Sequence, residues 1–378
     1  MPELKGEVLN GIDSLVQSSF KPLAGLKVGL ITNHSGQARN GKATIDLLHA
    51  APNLKLLKLF SPEHGIRGTA EGKIDDGIDS KTGLKIHSLY GATRKPAPGF
   101  LKDIDALVFD IQDIGCRFYT YISTMGNCME AAQAAKCKFF VLDRVNPIGG
   151  KIVEGPLLDG KQTFTGYHEI PVRHGMTVGE LAKLFRQERF TDLDLTVIPV
   201  RNWKRQQLFD DTGLRWVNPS PNIRNLPAAI LYPGVGLLEF TNLSVGRGTR
   251  EPFELVGAPF INAQDFAAEL KRAHLPGIDF VPATFTPMTS KFAGKHCGGV
   301  RILLTDHTVP TVDLGIAMAL ALRRLYPKKW SVANLDKLLV HPESANAILA
   351  GHPLKKIHAS WQDDLAAFAI RRAKVLIY

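Results

Sequence analysis

The chain has 378 residues, 44% of them hydrophobic and 22% charged, which is length and apolar content enough for a sizeable core and two domains or subdomains. Its formal charge of +10 comes from scattered Lys and Arg with no dense basic run, which argues against nucleic acid and for small anionic ligands. No apolar run is long enough to span a membrane, and MPELKGEVLNGIDSLVQ carries no signal pattern, so the expectation is a cytoplasmic protein, or a periplasmic or secreted one whose leader has been removed.

In chain order, 27–31 (KVGLI) reads as a strand and 42–50 as the helix after it. Further strands are expected at 54–60, 84–89 and 138–142. Between them lies the densest stretch of the sequence, DALVFDIQDIGCRFYTY at 105–121. Its apolar run, Ala106 to Phe109, fits a strand buried on both faces and stops at Asp110. Gln112, Asp113, Arg117, Tyr119 and Tyr121 follow, and then a crossover helix over 122–136 with Met125, Met129 and Ala132 along one side. Strands alternating with crossovers imply a parallel sheet.

The polar residues collect after the strands: Asn33 and His34, Glu63 and His64, Asp110 and Asp113, then Asp143, Arg144 and Asn146. If the strands are parallel, all of these share the carboxyl edge of one sheet, where open α/β sheets build their sites.

Past Gly150 the sequence turns loop-rich. Thr177 reads as an N-cap with Glu180 as its capping-box partner, for a helix to about Glu188. A strand is expected at 194–199, helices at 263–274, 312–325 and 361–374, and a strand at 299–305. The segments 218–225 and 232–255 read as irregular. The expected architecture is α/β, a Rossmann-like parallel sheet in 1–160 and a second, smaller α/β subdomain in 161–378, with the site in the cleft between them.

Several motifs have both a chemical and a plain reading. Residues 36–43 nearly match a P-loop, but Ala43 stands where the magnesium-binding hydroxyl belongs, and no GxGxxG follows the first strand, so no nucleotide or dinucleotide cofactor is expected. Cys116, Cys128, Cys137 and Cys297 lack CxxC spacing and read as reduced structural thiols, and no element shows zinc-like ligand spacing. SPEHGIRG at 61–68 sets the Glu63 carboxylate between Pro62 and His64 at a strand end, with Arg67 near, as a general acid or base or as a salt-bridged turn. Asp113, Arg117, Tyr119 and Tyr121 could bind a sugar, or order a loop through an ion pair. Arg247, in a Gly-Arg-Gly-Thr-Arg loop with Glu239 and Asn242 just before it, could clamp a carboxylate or phosphate, or belong to a glycine turn with solvated arginines. His174, alone between Arg173 and Gly175, reads as structural more readily than as a site residue.

Taken together, GLITNHSG, LFSPEHGIRG, VFDIQDIGCRFYTYISTM, VLDRVNPIGG, VEGP, IPVRHGMTVGEL, PSPNI, YPG and LLEFTNLSVGRGTREPFEL resemble the exo-β-N-acetylmuramidase (NamZ-type) family, long a family of unknown function, along most of the chain. The resemblance implies a soluble glycosidase that removes N-acetylmuramic acid from the non-reducing end of peptidoglycan-derived saccharides in cell-wall turnover. It implies no cofactor, metal, nucleic acid or membrane partner, and leaves oligomeric state open. Within it Glu63 is the expected proton donor, with Glu154, Glu239 or Asp113 as the partner acid. Glu130 is set too far down its helix. His64, Arg67, Arg117, Tyr119, Tyr121, Asn146, His174, Asn222, Asn242 and Arg247 are the expected sugar-binding residues, one of the arginines taking the lactyl carboxylate. The competing classes are a non-enzymatic cell-wall sugar-binding protein and a P-loop-like phosphohydrolase.

Overall fold

The computed structural model describes residues 6–62, 65–67, 76–89 and 94–378. Seven of its strands form one sheet: β1 (Lys27–Thr32), β2 (Lys55–Ser61), β3 (Gly77–Ile78), β4 (Lys85–Ser88), β5 (Ala106–Asp110), β6 (Lys138–Leu142) and, after a two-stranded hairpin of β7 (Glu154–Leu157) and β8 (Pro171–Arg173), β9 (Leu195–Ile198). The order is β3-β4-β2-β1-β5-β6-β9, parallel throughout except for β3 against β4. The large sheet therefore takes its last strand from beyond residue 160.

The apolar runs seen in the sequence are buried on both faces. Val28, Leu30, Ala106, Val108, Phe140 and Leu142 turn toward α1 (Gly11–Gln17) and α2 (Thr44–His49). Ile31, Leu107, Phe109, Phe139 and Val141 turn the other way, toward α3 (Tyr121–Ala134) and α4 (Val178–Glu188). Alternate residues of one strand thus feed opposite layers, which is the doubly wound arrangement that the unbroken apolar runs predicted. Helix α4 begins with the expected capping box: the Thr177 hydroxyl accepts from Glu180 N at 3.2 Å and the Glu180 carboxylate from Thr177 N at 3.0 Å.

The second region holds α5 (Leu226–Val235), β10 (Leu255–Ala258), α6 (Ala263–Lys271), β11 (Ile278–Phe285), β12 (Cys297–Leu304) and α7 (Thr311–Leu325). Its sheet is antiparallel, in the order β10-β12-β11. Helix α5 ends inside the stretch 232–255 read as irregular, because its Pro233 and Gly234 look like loop punctuation. It is buried along nearly all its length, so no amphipathic period marks it. It crosses α7 at Gly234 and Gly315, where a Cβ on Gly234 would fall 1.8 Å from the Thr311 carbonyl oxygen. The chain closes through α8 (Asp336–Leu339), α9 (Pro342–Ala350), α10 (Leu354–Ala359) and α11 (Gln362–Ala373), and Tyr378 returns to the large sheet. All four cysteines are buried and unpaired, and no helix among the described residues is long and apolar enough to cross a membrane.

Candidate active site

Strand order reverses at β1: the chain first builds outward through β2 and β4, then returns to the opposite side of β1 with β5. The crossovers after β1 and β5 leave in opposite directions, and the crevice between their carboxyl ends is where an open α/β sheet binds its ligand. Two expected site residues, Glu63 and His64, lie outside the described residues. Their neighbours do not: Pro62 and Gly65 are buried where β2, next to β1, ends.

Three loops at this edge are tied together by side chains. Asn33 Oδ1 accepts from the Ser35 N and hydroxyl at 2.9 and 2.5 Å, and Ser35 Oγ accepts from Gln112 N at 3.0 Å. Gln112 Nε2 in turn donates to the carbonyls of Asp113 and Val145 at 2.7 and 2.9 Å, reaching the loop after β6. Beneath them Arg144 grips Asp110 with two bonds of 2.6 and 3.0 Å, and Asp110 also accepts from the Thr44 hydroxyl. Thr44, one place late for a P-loop, is thus committed to a buried carboxylate, and the 36–43 loop folds back on itself through a Gln37–Ala43 bridge.

A roof lies over the edge. His34 Nε2 donates to the Asn218 carbonyl at 2.7 Å and the Tyr121 hydroxyl to the Pro219 carbonyl at 2.8 Å, while Tyr119 faces Ser220. Arg224 extends the roof by donating to the Thr249 carbonyl at 3.2 Å. A run of edge-on rings joins floor to roof: Tyr121 to Tyr119 at 5.0 Å, Tyr119 to Tyr232 at 5.8 Å and Tyr232 to Phe253 at 4.8 Å. Arg247 caps the run, 5.5 Å over Phe253 and paired with Glu239 at 2.7 Å. Burial pushes the Tyr119 phenol well above its ordinary value, so it stays protonated.

The candidate acids differ in how fully they are engaged. Asp113 accepts from Gly115 N at 2.8 Å through Oδ2, and its buried Oδ1 has no partner among the described residues. His174, wholly buried, accepts from Met176 N at Nδ1, so its proton is on Nε2, which faces Asp113 Oδ2 at 3.4 Å. Asn33 Nδ2 is likewise buried without a partner among the described residues. Buried polar atoms left unpaired cost about 1–3 kcal/mol each, so two of them on adjacent strand ends at a switch point call for an explanation. Glu154 is held by Arg173 at 3.1 Å beside Thr311 at the start of α7, with burial raising its pKa against the pull of Arg173. Glu130 is exposed on α3 and paired with Lys95 at 2.9 Å.

Of the expected sugar-binding residues, several are occupied within the fold. Arg117 is fully buried and donates to the carbonyls of Pro156, Ile170, Leu338 and Leu339, with burial pulling its pKa down to about 10. That clamp joins the hairpin of β7 and β8 to α8. Arg67 holds Asp79 at 2.9 and 2.8 Å and Asp46 at 3.1 Å, bonds that raise its pKa. Asn146 bridges the Met176 carbonyl and Ile148 N, and Asn242 bridges the Lys329 carbonyl and Ser331 N. Tyr119, Tyr121, Asn222 and Arg247 remain around the roof, Asn222 half-buried within it. Sequence reading passed over Ser35, Arg224 and Tyr232, which act through contacts that no local spacing displays.

Comparison with known proteins agrees with this architecture. The family description for the N-terminal part of exo-β-N-acetylmuramidase NamZ matches residues 28–227, and that for its C-terminal part matches 230–378. The chain is 45% identical to the peptidoglycan β-N-acetylmuramidase NamZ of Bacillus subtilis (strain 168), over 99% of this chain and 92% of that one. Two crystal structures of DUF1343 family proteins from Bacteroides fragilis NCTC 9343 share the fold. One has a TM-score of 0.92 at 37% identity, covering 99% of this chain and 100% of the other; the second has 0.81 at 31%, covering 98% and 99%. With both family descriptions spanning nearly the whole chain, this protein belongs to the exo-β-N-acetylmuramidase NamZ family.

Proposed function

We propose that this protein is an exo-acting glycoside hydrolase that releases N-acetylmuramic acid from the non-reducing end of peptidoglycan-derived saccharides. The observation that carries the reading is the 45% identity to a peptidoglycan β-N-acetylmuramidase across 99% of the chain. The switch-point crevice gives that chemistry a place, because it gathers a carboxylate, amides and phenols under a roof that carries an arginine.

In this reading Glu63 protonates the leaving glycosidic oxygen. Asp113, whose Oδ1 has no partner among the described residues, acts on the opposite side of the anomeric carbon, with His174 behind it holding its orientation. Asp113 is preferred over Glu154, which is bound to Arg173, and over Glu239, which is bound to Arg247. The separation of the two carboxyl groups decides the stereochemical course: ~5 Å suits a retaining enzyme and ~6.5–9.5 Å an inverting one. Arg247 exchanges its Glu239 partner for the lactyl carboxylate, with the phenols of Tyr119 and Tyr121 and the amides of Asn33 and Asn222 around the sugar. Residues 1–160 carry the catalytic groups and 161–378 supply the roof.

A chromogenic N-acetylmuramic acid glycoside incubated with the protein and excess chelator tests this. Release that withstands the chelator supports the glycosidase. Sugar binding without release would instead make the crevice a recognition site, and phosphate release from nucleotides that needs magnesium would overturn the reading.

A further inference from the structure

A second cleft, of ≈ 380 Å³, lies on the flank of α3, between that helix and the loop 162–167. Two guanidinium groups line it, each laid over an aromatic ring: Arg94 at 4.1 Å from the Phe164 centroid and Arg189 at 4.5 Å from that of Tyr167. Stacking fixes the plane of a guanidinium and leaves its edge donors pointing outward, which suits a carboxylate. Arg67, Arg144, Arg173, Arg205, Arg247 and Arg371 each hold an acid of this chain. Arg94, exposed, and Arg189, half-buried, pair with no carboxylate among the described residues. Asn127 Nδ2 donates to the Arg94 carbonyl at 3.2 Å, and Arg189 Nη1 to the Tyr167 carbonyl at 3.2 Å. Tyr167 is itself seated against α3, where a Cβ on Gly126 would fall 2.1 Å from its ring. The cleft therefore has ring-stacked cations, aromatic walls and the amides of Asn127 and Gln162, a set suited to an acidic sugar.

Helix α3 gives the spacing of the cleft from the crevice along its axis. Helix α3 starts at the sheet edge with Tyr121, and Asn127 stands six residues further on, or ~9 Å along the axis. That is about one disaccharide repeat of a glycan in which every second unit bears a lactyl carboxylate. We propose that the Arg94–Arg189 cleft is a distal subsite for the leaving chain, binding the carboxylate of the next muramic residue beyond the glucosamine. This rests on the exo-muramidase reading and extends it to a preference for longer substrates.

The test compares kcat/KM for muramyl-glucosamine disaccharide and for the tetrasaccharide made of two such units. One charge-assisted carboxylate contact is worth ~1.5–3 kcal/mol, so wild type should favour the tetrasaccharide by about tenfold or more. In the double variant Arg94→Gln, Arg189→Gln the ratio should fall to about one, through KM rather than kcat. A tetrasaccharide whose internal lactyl group is an amide should lose the preference with wild-type protein. No preference in wild type, or an unchanged ratio in the double variant, overturns the subsite. If neither substrate is cleaved, the exo-muramidase reading fails first, and calorimetric binding of the tetrasaccharide to wild type and variant still decides the subsite. Thermal melts of the variant separate lost folding from lost binding, and Arg189→Lys, which keeps the charge but not the stacked fork, should recover part of the ratio.

Discussion

Asp143 offers a prediction whose size follows from its surroundings. It ends β6 with no exposure to solvent, and burial pushes its carboxyl from 3.8 up to about 6. Donors from Gly179 N at 2.7 Å, Arg144 N at 2.9 Å, the Thr177 hydroxyl at 2.8 Å and the Tyr378 hydroxyl at 2.6 Å offset the lost hydration only in part. Between those two pKa values the folded chain binds a proton that the unfolded chain has released, so stability falls as pH rises through the window. Two units at about 1.4 kcal/mol each make the swing ~3 kcal/mol. Asp143→Asn removes the titration while adding a pH-independent offset for the altered hydroxyl contacts. Urea unfolding of both proteins from pH 3.5 to 7.5 isolates the effect, since the other carboxylates cancel in the difference. The variant should gain ~3 kcal/mol relative to wild type across the window. A difference that stays flat with pH, or one that moves toward the wild type as pH rises, would refute the reasoning.

Three further substitutions separate structural from substrate-facing groups. Arg117→Leu strands four buried carbonyls and should cost ~3 kcal/mol or more in urea unfolding, with an unchanged slope and an unchanged KM in whatever protein remains folded. Arg247→Gln should raise KM for the muramic substrate by about 10–100-fold and leave an analogue with an amidated lactyl group unaffected, as read from initial rates on the two. Glu63→Gln should lower kcat on the disaccharide by ~10²–10⁴ at unchanged melting temperature, with a smaller loss on a nitrophenyl glycoside whose leaving group needs less protonation.

The large sheet was legible because its strands carry continuous apolar runs, and because each run stops at a polar residue: Thr32, Ser61, Asp110 and Asp143. Parallel order then fixed which residues share an edge. Three kinds of feature left no such trace. Helix α5 is apolar all round and broken by prolines, so period and punctuation both argue for a loop. The hairpin of β7 and β8, four and three residues long with a proline in each strand, is too short to show alternation. The duties of individual arginines were hidden, because a guanidinium that clamps carbonyls and one that faces solvent are written with the same letter. Arg117 sits in the densest motif of the chain yet serves the fold, whereas Arg94 and Arg189, in unremarked segments, stand over their rings without an acid partner among the described residues.

The most direct test of the switch-point assignment is the position of an uncleaved muramyl-glucosamine disaccharide bound to the Glu63→Gln variant, determined by crystallography. The muramic ring should lie between the carboxyl ends of β1 and β5, near Asn33 and Asp113, with its lactyl carboxylate on Arg247. A muramic ring seated away from these strand ends, with its carboxylate on a different cation, would contradict the account.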